Sequence, residues 1–256
     1  MPKHPYKAVV LDLFDTLVKW EPERLPLMEV NGRSVRTTMP FVFPKLSERL
    51  GNRFLQDHFV QVCTATVDEI NAEREADWIE ITCADRFARI LERYHATHHV
   101  GDAIELRQLA EELTRVHMDG VRAVTWAPAE RAEAVRRLAG HYRMGLLSNF
   151  DDAQCGREVL LDSGVADLFE AVIISAEVGL RKPNQRIYQQ MLEMLHLDAA
   201  DVLFVGDTPR EDVQGPLLAG MHTAWISKGA IAIPDGIPAP HFIVRDLSEL
   251  PDLLGV

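Results

Sequence analysis

The sequence predicts an α/β protein: a doubly wound, mostly parallel sheet with an α-helical domain inserted into it. Three observations predict this. The run Ala8-Val9-Val10-Leu11 is continuously apolar and stops at Asp12, as a strand buried on both faces reads. From Trp126 onward, strand-like and helix-like segments alternate, which is how helices come to cover both faces of a parallel sheet. Between these parts, from about Phe41 to Met118, the apolar residues recur only at helical spacing.

The 256 residues suffice for one large or two modest domains. With 47% hydrophobic and 26% charged residues, the composition is that of a soluble globular protein. A formal net charge of -12 argues against a nucleic-acid partner, which calls for a basic face, but leaves room for a local pocket that binds a small anion. The three cysteines, Cys63, Cys83 and Cys155, are scattered and form no Cys-x-x-Cys pair. That disfavours zinc ribbons and redox pairs and points to a reducing, cytoplasmic compartment. Residues 1–7 are mostly polar or proline, so no secretory leader is expected. No apolar run approaches a membrane span, so no membrane partner is expected either.

Taken in order, the first strand is expected from about Lys7 to Leu13, and Thr16 is available to satisfy backbone groups in the loop that follows. Residues 25–38 read as a β-hairpin turning at Asn31-Gly32, a pair that supplies the positive φ angles of a type I′ turn; it is a lid or a surface ornament. Helical stripes follow at Phe54, Leu55, His58, Phe59, Val62 and Thr66, then at Phe87, Ile90, Leu91 and Tyr94, then at Leu106, Leu109, Leu113 and Val116. They describe a small helical bundle. His95, His98 and His99 have a spacing metal ligands use, but no acidic partner of a zinc pattern accompanies them, so they read as a solvated helix end. Residues 1–18 and 125–256 are therefore assigned to the α/β core, and 19–124 to a helical cap.

In the second part, Pro128 opens a helix to about Leu138. Tyr142–Leu147 is a strand ending in Ser148-Asn149, and Asp151 is expected to cap a helix to about Leu161. Ala171–Ser175 is a strand, and a helix starts at Pro183-Asn184. Asp201–Val205 is a strand ending in Gly206-Asp207, followed by a helix from about Arg210 to Ala219. Strands at His222–Ile226 and Phe242–Val244 complete a Rossmann-like sheet.

This order brings Asp12, Ser148 with Asn149, Lys182, and Asp207 with Asp212 to the carboxyl edge of the sheet, where ligands of such folds bind. The chemistry they suit is phosphoryl or related group transfer. Two carboxylates, Asp12 and Asp207, can hold a hard cation such as Mg²⁺. The cation and Lys182 offset the charge of a phosphoryl group, and Ser148 and Asn149 donate to its oxygens. Asp12 is then placed to attack as a nucleophile.

The segments Asp12-Leu13-Phe14-Asp15-Thr16-Leu17, Leu147-Ser148-Asn149, Arg181-Lys182-Pro183 and Gly206-Asp207-Thr208-Pro209-Arg210-Glu211-Asp212 resemble, in this order, the motifs of the haloacid dehalogenase-like hydrolase superfamily. The resemblance implies that Asp12 is nucleophile and Mg²⁺ ligand. It further implies that the Phe14 carbonyl and Asp207 complete the protein's ligands, that Asp212 supports the metal, and that Lys182 bridges Asp12 and the phosphoryl group. The chain departs from the family's phosphatases at Phe14, where they usually carry a second aspartate that protonates the leaving group. General acid–base help of that kind is worth roughly 10²–10⁴ in rate. Asp15 is one position too far to be its natural replacement.

The leading expectation is a Mg²⁺-dependent phosphatase acting on a small, anionic, phosphorylated metabolite through an aspartyl intermediate. The alternatives are a 2-haloacid dehalogenase, a phosphonate hydrolase using Lys45 as a Schiff base, and a non-catalytic binding relative. By resemblance, dehalogenases dispense with the metal and replace the aspartate at the Asp207 position, which this chain keeps. Substrate identity and oligomeric state are not encoded in any motif found here.

Overall fold

The structure is a computed structural model and describes residues 6–30, 32–230 and 232–256. The chain divides into two compact units. One comprises the chain up to Trp20 together with Trp126–Val256, and the other Glu21–Thr125.

The first unit is built on a six-stranded sheet. Its strands are β1 (Ala8–Leu11), β2 (Arg143–Ser148), β3 (Phe169–Ile174), β4 (Val202–Gly206), β5 (His222–Ile226) and β6 (Phe242–Val244). They lie in the order β6-β5-β4-β1-β2-β3, and every pairing is parallel. All four residues of β1 are fully buried, as the apolar run requires of a strand covered on both faces. Chain order reverses between β1 and β4, which makes their carboxyl ends the topological switch point of the sheet. The register aligns Leu11 with Leu146 on one side and Val205 on the other, so Asp12 emerges level with the ends of both neighbours.

The helix Gln185–Leu195 buries Ile187, Tyr188, Met191 and Leu195 at i, i+1, i+4 and i+8 against Val10, Leu147 and Phe204 of the sheet. It approaches so closely that a Cβ on Gly145 of β2 would lie 3.0 Å from the Met191 sulfur. Two expectations are corrected. Asp152, not Asp151, caps the helix Ala153–Asp162, because its carboxylate accepts from the Cys155 amide at 2.8 Å. After β4 the chain forms a π-helical turn, Pro209–Gln214, and only then the short α-helix Gly215–Leu218, instead of one regular helix. The cause is Tyr188, whose hydroxyl donates to the Glu211 carbonyl and would meet a Cβ on Gly215 at 2.1 Å.

The second unit contains the helices Met39–Leu50, Gln56–Asp77, Cys83–His98 and Ala103–Arg122. Thr82 caps the third, and Asp102 with Glu105 forms a capping box on the fourth. The hairpin pairs Leu27–Val30 with Arg33–Arg36; Gly32 has φ 74°, and the turn's Asn31 lies outside the described residues. The stripe expected from Phe54 begins two residues too early, since Phe54 and Leu55 precede the second helix. The histidines are not simply a solvated helix end. His98 bonds His58 (Nε2 to Nδ1, 2.5 Å) and stacks near Tyr94, while His95 Nδ1 bonds the Val100 carbonyl. Lys45 pairs with Glu48 one turn along its own helix. Among the described residues, no helix is long and apolar enough to cross a membrane.

Candidate active site

Asp12 leaves the end of β1 with its amide bonded to the Val205 carbonyl at 2.9 Å, which fixes the start of the following loop. Lys182 reaches it from the loop before Gln185–Leu195. Its ammonium lies 2.8 Å from Asp12 Oδ1 and 2.7 Å from Asp212 Oδ1, and the side chain is almost wholly buried. Asn149 clamps the lysine's main chain, donating from Nδ2 to the Lys182 carbonyl at 2.9 Å and accepting the Lys182 amide on Oδ1 at 2.7 Å. One N–H of the amide that was expected to donate to a ligand is thereby used to hold Lys182, and Asn149 also lines the cavity at the site. Ser148 is buried at the end of β2 with its hydroxyl unpartnered, and it does not line the cavity that the other residues share.

That cavity, about 300 Å³, is lined by Asp12, Phe14, Asp15, Asn149, Arg181, Lys182, Asp207, Thr208, Glu211 and Asp212. One carboxylate oxygen from each of Asp12, Asp207 and Asp212 lies within 4.8 Å of the other two. Asp212 is held by Lys182 and, through Oδ2, by the Thr208 amide at 2.9 Å. It lies so tightly over Gly206 that a Cβ there would stand 2.4 Å from its carboxylate. The glycine of Gly206-Asp207 is thus a close-approach residue. The Phe14 ring packs on Phe150 with centroids 4.6 Å apart.

Burial pushes the Asp12 carboxyl up to about 6, reinforced by Asp212 and opposed by Lys182. Asp212 is likewise pushed up to about 6 by burial, against the pull of Lys182. Burial also raises Asp207, with Asp12 adding to it. Negative charge is under-compensated here. Around the cavity five carboxylates face the three cations Arg181, Lys182 and Lys228, and the excess equals the charge of one divalent ion. An all-oxygen donor set with that excess fits a hard cation such as Mg²⁺.

Three contributors have no counterpart in the motif reading. Lys228 lies two residues beyond β5, with its ammonium 2.9 Å from Asp207 Oδ2 and 3.0 Å from Asp15 Oδ2. The signal was available: a fifth parallel strand delivers its loop to the same edge as the other four. Arg131 is buried, bonds Asp246 through two nitrogens at 2.7 and 2.9 Å, and donates to the Asp15 carbonyl at 3.1 Å. Tyr188 holds the π turn that carries Glu211 and Asp212. The last two lie inside helices, where no local pattern marks them.

A parallel sheet whose switch point gathers aspartates around a buried lysine defines a Rossmann-like α/β protein with a site suited to group transfer. The sequence pattern of the haloacid dehalogenase-like hydrolases matches residues 6–220, and the chain belongs to that family. It is 29% identical to phosphoserine phosphatase of Thermus thermophilus over 251 residues, covering 95% of this chain and 97% of that one. It is 37% identical over 119 residues to pyrimidine 5′-nucleotidase YjjG of Escherichia coli, a match spanning 46% of this chain and 52% of the relative. Human N-acylneuraminate-9-phosphatase is 34% identical over 150 residues, 58% of this chain and 60% of that one. With these last two the chain thus aligns over only about half to three fifths of the relative's length. Among solved structures, a 2-haloacid dehalogenase from Pseudomonas syringae shares the fold with a TM-score of 0.71 and 22% identity, over 97% of this chain and 98% of that one.

Proposed function

We propose that the chain is a Mg²⁺-dependent phosphatase that transfers the phosphoryl group of a small anionic metabolite to Asp12 and then to water. The observation that carries this reading is the Lys182 ammonium between Asp12 and Asp212, with Asp207 in the same oxygen cluster. A phosphoryl group arriving at Asp12 meets a fixed positive charge already in place, which is how charge developing in transfer is stabilised without reorganisation. The relatives named as phosphatases support the same reading.

Asp12 attacks phosphorus with a carboxylate oxygen, the bond from phosphorus to the leaving oxygen breaks, and an aspartyl phosphate remains. Water then attacks phosphorus, releasing phosphate and restoring the carboxylate. Lys182 neutralises charge throughout, and Asn149 keeps its backbone in register. Asp12 and Asp207, with the Phe14 carbonyl, would hold Mg²⁺, and Asp212 would support it. When bound, the ion supplies Lewis-acid stabilisation of phosphoryl charge. Phe14 offers no proton to the leaving group, and Asp15 is tied to Lys228, so the reading favours substrates whose leaving groups are themselves acidic. The Glu21–Thr125 unit is read as the cap that selects substrate, and the site as cytoplasmic.

The aromatic at position 14 favours a second reading, haloacid dehalogenation, because halide needs no proton to leave. A screen of aryl, acyl and alkyl phosphates, phosphonates and 2-haloacids, each with and without Mg²⁺, separates the two. Phosphate release that stops in chelator supports the proposal; haloacid consumption that persists in chelator overturns it.

A further inference from the structure

Two lysines serve the cluster of aspartates, and they are held differently. Lys182 is buried, its main chain is clamped by Asn149, and its ammonium bonds Asp12 and Asp212 together. Lys228 stands at the solvent side with its side chain 44% exposed and contacts Asp207 and Asp15. Its backbone forms a tight turn. Lys228 and Gly229 have φ 50° and 90°, and the Ala230 amide donates to the Ser227 carbonyl at 2.8 Å. Asp15 has φ 60°. Both ends of the Lys228–Asp15 contact therefore occupy the left-handed region, which side chains other than glycine adopt at a cost. Such strain collects where a side chain must be delivered to one place.

Asp207 is anchored independently of Lys228: the Trp225 indole donates to its carbonyl at 2.9 Å. That bond holds the main chain at Asp207, so the residue keeps its place beyond β4 when the ammonium is removed. A lysine with nearly half its side chain in water can also release its partner at little desolvation cost, which Lys182 cannot do.

Resting on the Mg²⁺ reading above, we infer that Lys228 is a tethered cation that competes with Mg²⁺ for the Asp207 carboxylate and so sets the metal affinity as a positioning residue. Two positive charges on one carboxylate repel each other, and of the two lysines only the half-exposed Lys228 can relieve that repulsion cheaply by swinging into water. A lysine that merely tied two loops together would act in the opposite sense, because losing it would loosen Asp207 and weaken the metal.

The test is titration calorimetry of Mg²⁺ into the substrate-free full chain at low ionic strength. Lys228→Met is expected to tighten the dissociation constant about two- to fivefold, the range of a half-exposed ion pair. Lys228→Arg, which keeps the charge, should bind no tighter than the wild type. Lys228→Gln gives the same comparison should the methionine variant misfold. Unchanged or weaker binding by the neutral variants overturns the inference while leaving the Mg²⁺ site standing. A wild-type protein that takes up no Mg²⁺ overturns the metal reading itself, and this inference with it.

Discussion

Lys182 joins Asp12 to Asp212, 2.8 Å from one and 2.7 Å from the other, in a pocket where all three side chains are buried. The arrangement is stable only as a set. Lys182→Met would leave two acids buried without their cation, which costs about 3–5 kcal/mol when they are ionised. Their carboxyls already titrate near 6, and losing the lysine raises them further. The variant should be severely destabilised at pH 8 and recover much of the loss at pH 5. Urea denaturation at the two pH values checks this; a loss equal at both contradicts it.

The wild type has a related signature. Folded-state values of about 6 lie above the ordinary aspartate value of 3.8, so protonation favours the fold. The contribution of Asp12 and Asp212 is fully present below the unfolded value and is lost as pH rises through about 6. Under the proposed reading, Mg²⁺ would do at neutral pH what the protons do in acid. Its stabilising effect in thermal melts should be clear at pH 7.5 and shrink towards pH 5. A shift that does not change across this range counts against a site at these aspartates.

Arg131 sits outside the motifs, yet it holds the Asp15 carbonyl and pairs with Asp246. Burial alone would raise the Asp246 carboxyl, but the hydrogen bond from Arg131 prevails and lowers it. A lowered carboxylate contributes stability above its unfolded value and loses it as pH falls through the folded one. Arg131→Met should cost about 1–3 kcal/mol at pH 7, less at pH 3, and should weaken Mg²⁺ binding through the loosened Asp15–Val18 loop. Calorimetry on the variant reads both effects; unaltered metal binding would confine Arg131 to the fold.

The parts of this molecule that were legible in the sequence are those governed by local rules. A strand buried on both faces must be a continuous apolar run, so β1 announced itself, and Asp12 with it. Gly206 was read only as the end of a strand; that no Cβ fits there beneath Asp212 became visible in the structure. The helix boundaries drifted by a residue or two, because caps are decided by geometry that neighbouring aspartates, Asp151 and Asp152, can each satisfy. The π turn was invisible: it depends on Tyr188, 23 residues away in sequence from Glu211. Arg131 was hidden likewise, its partner Asp246 being 115 residues distant. Asn149 was found as a site residue, but its bonds to the Lys182 main chain were not, since the two residues are 33 apart in sequence.

Phe14 sets the expected substrate dependence. Without a proton donor beside Asp12, the wild-type rate should fall steeply as the leaving group becomes less acidic, with acyl and aryl phosphates far ahead of alkyl ones. Phe14→Asp should raise rates selectively on poor leaving groups, by less than the full general-acid factor because the new carboxyl is untuned. The substitution also removes a ring packed on Phe150, so its stability must be followed in parallel. A wild-type rate indifferent to leaving-group acidity would show that another group already supplies the proton.

The central claim is that Asp12 carries the phosphoryl group. Quenching the enzyme during turnover of an acyl or aryl phosphate, reducing with borohydride and mapping by mass spectrometry tests it directly. Reduction of an aspartyl phosphate converts that one side chain to homoserine. The account predicts homoserine at position 12 alone, dependent on Mg²⁺ and absent from Asp12→Asn. Turnover that proceeds with Asp12 unmodified, or with the modification at another carboxylate, would contradict it.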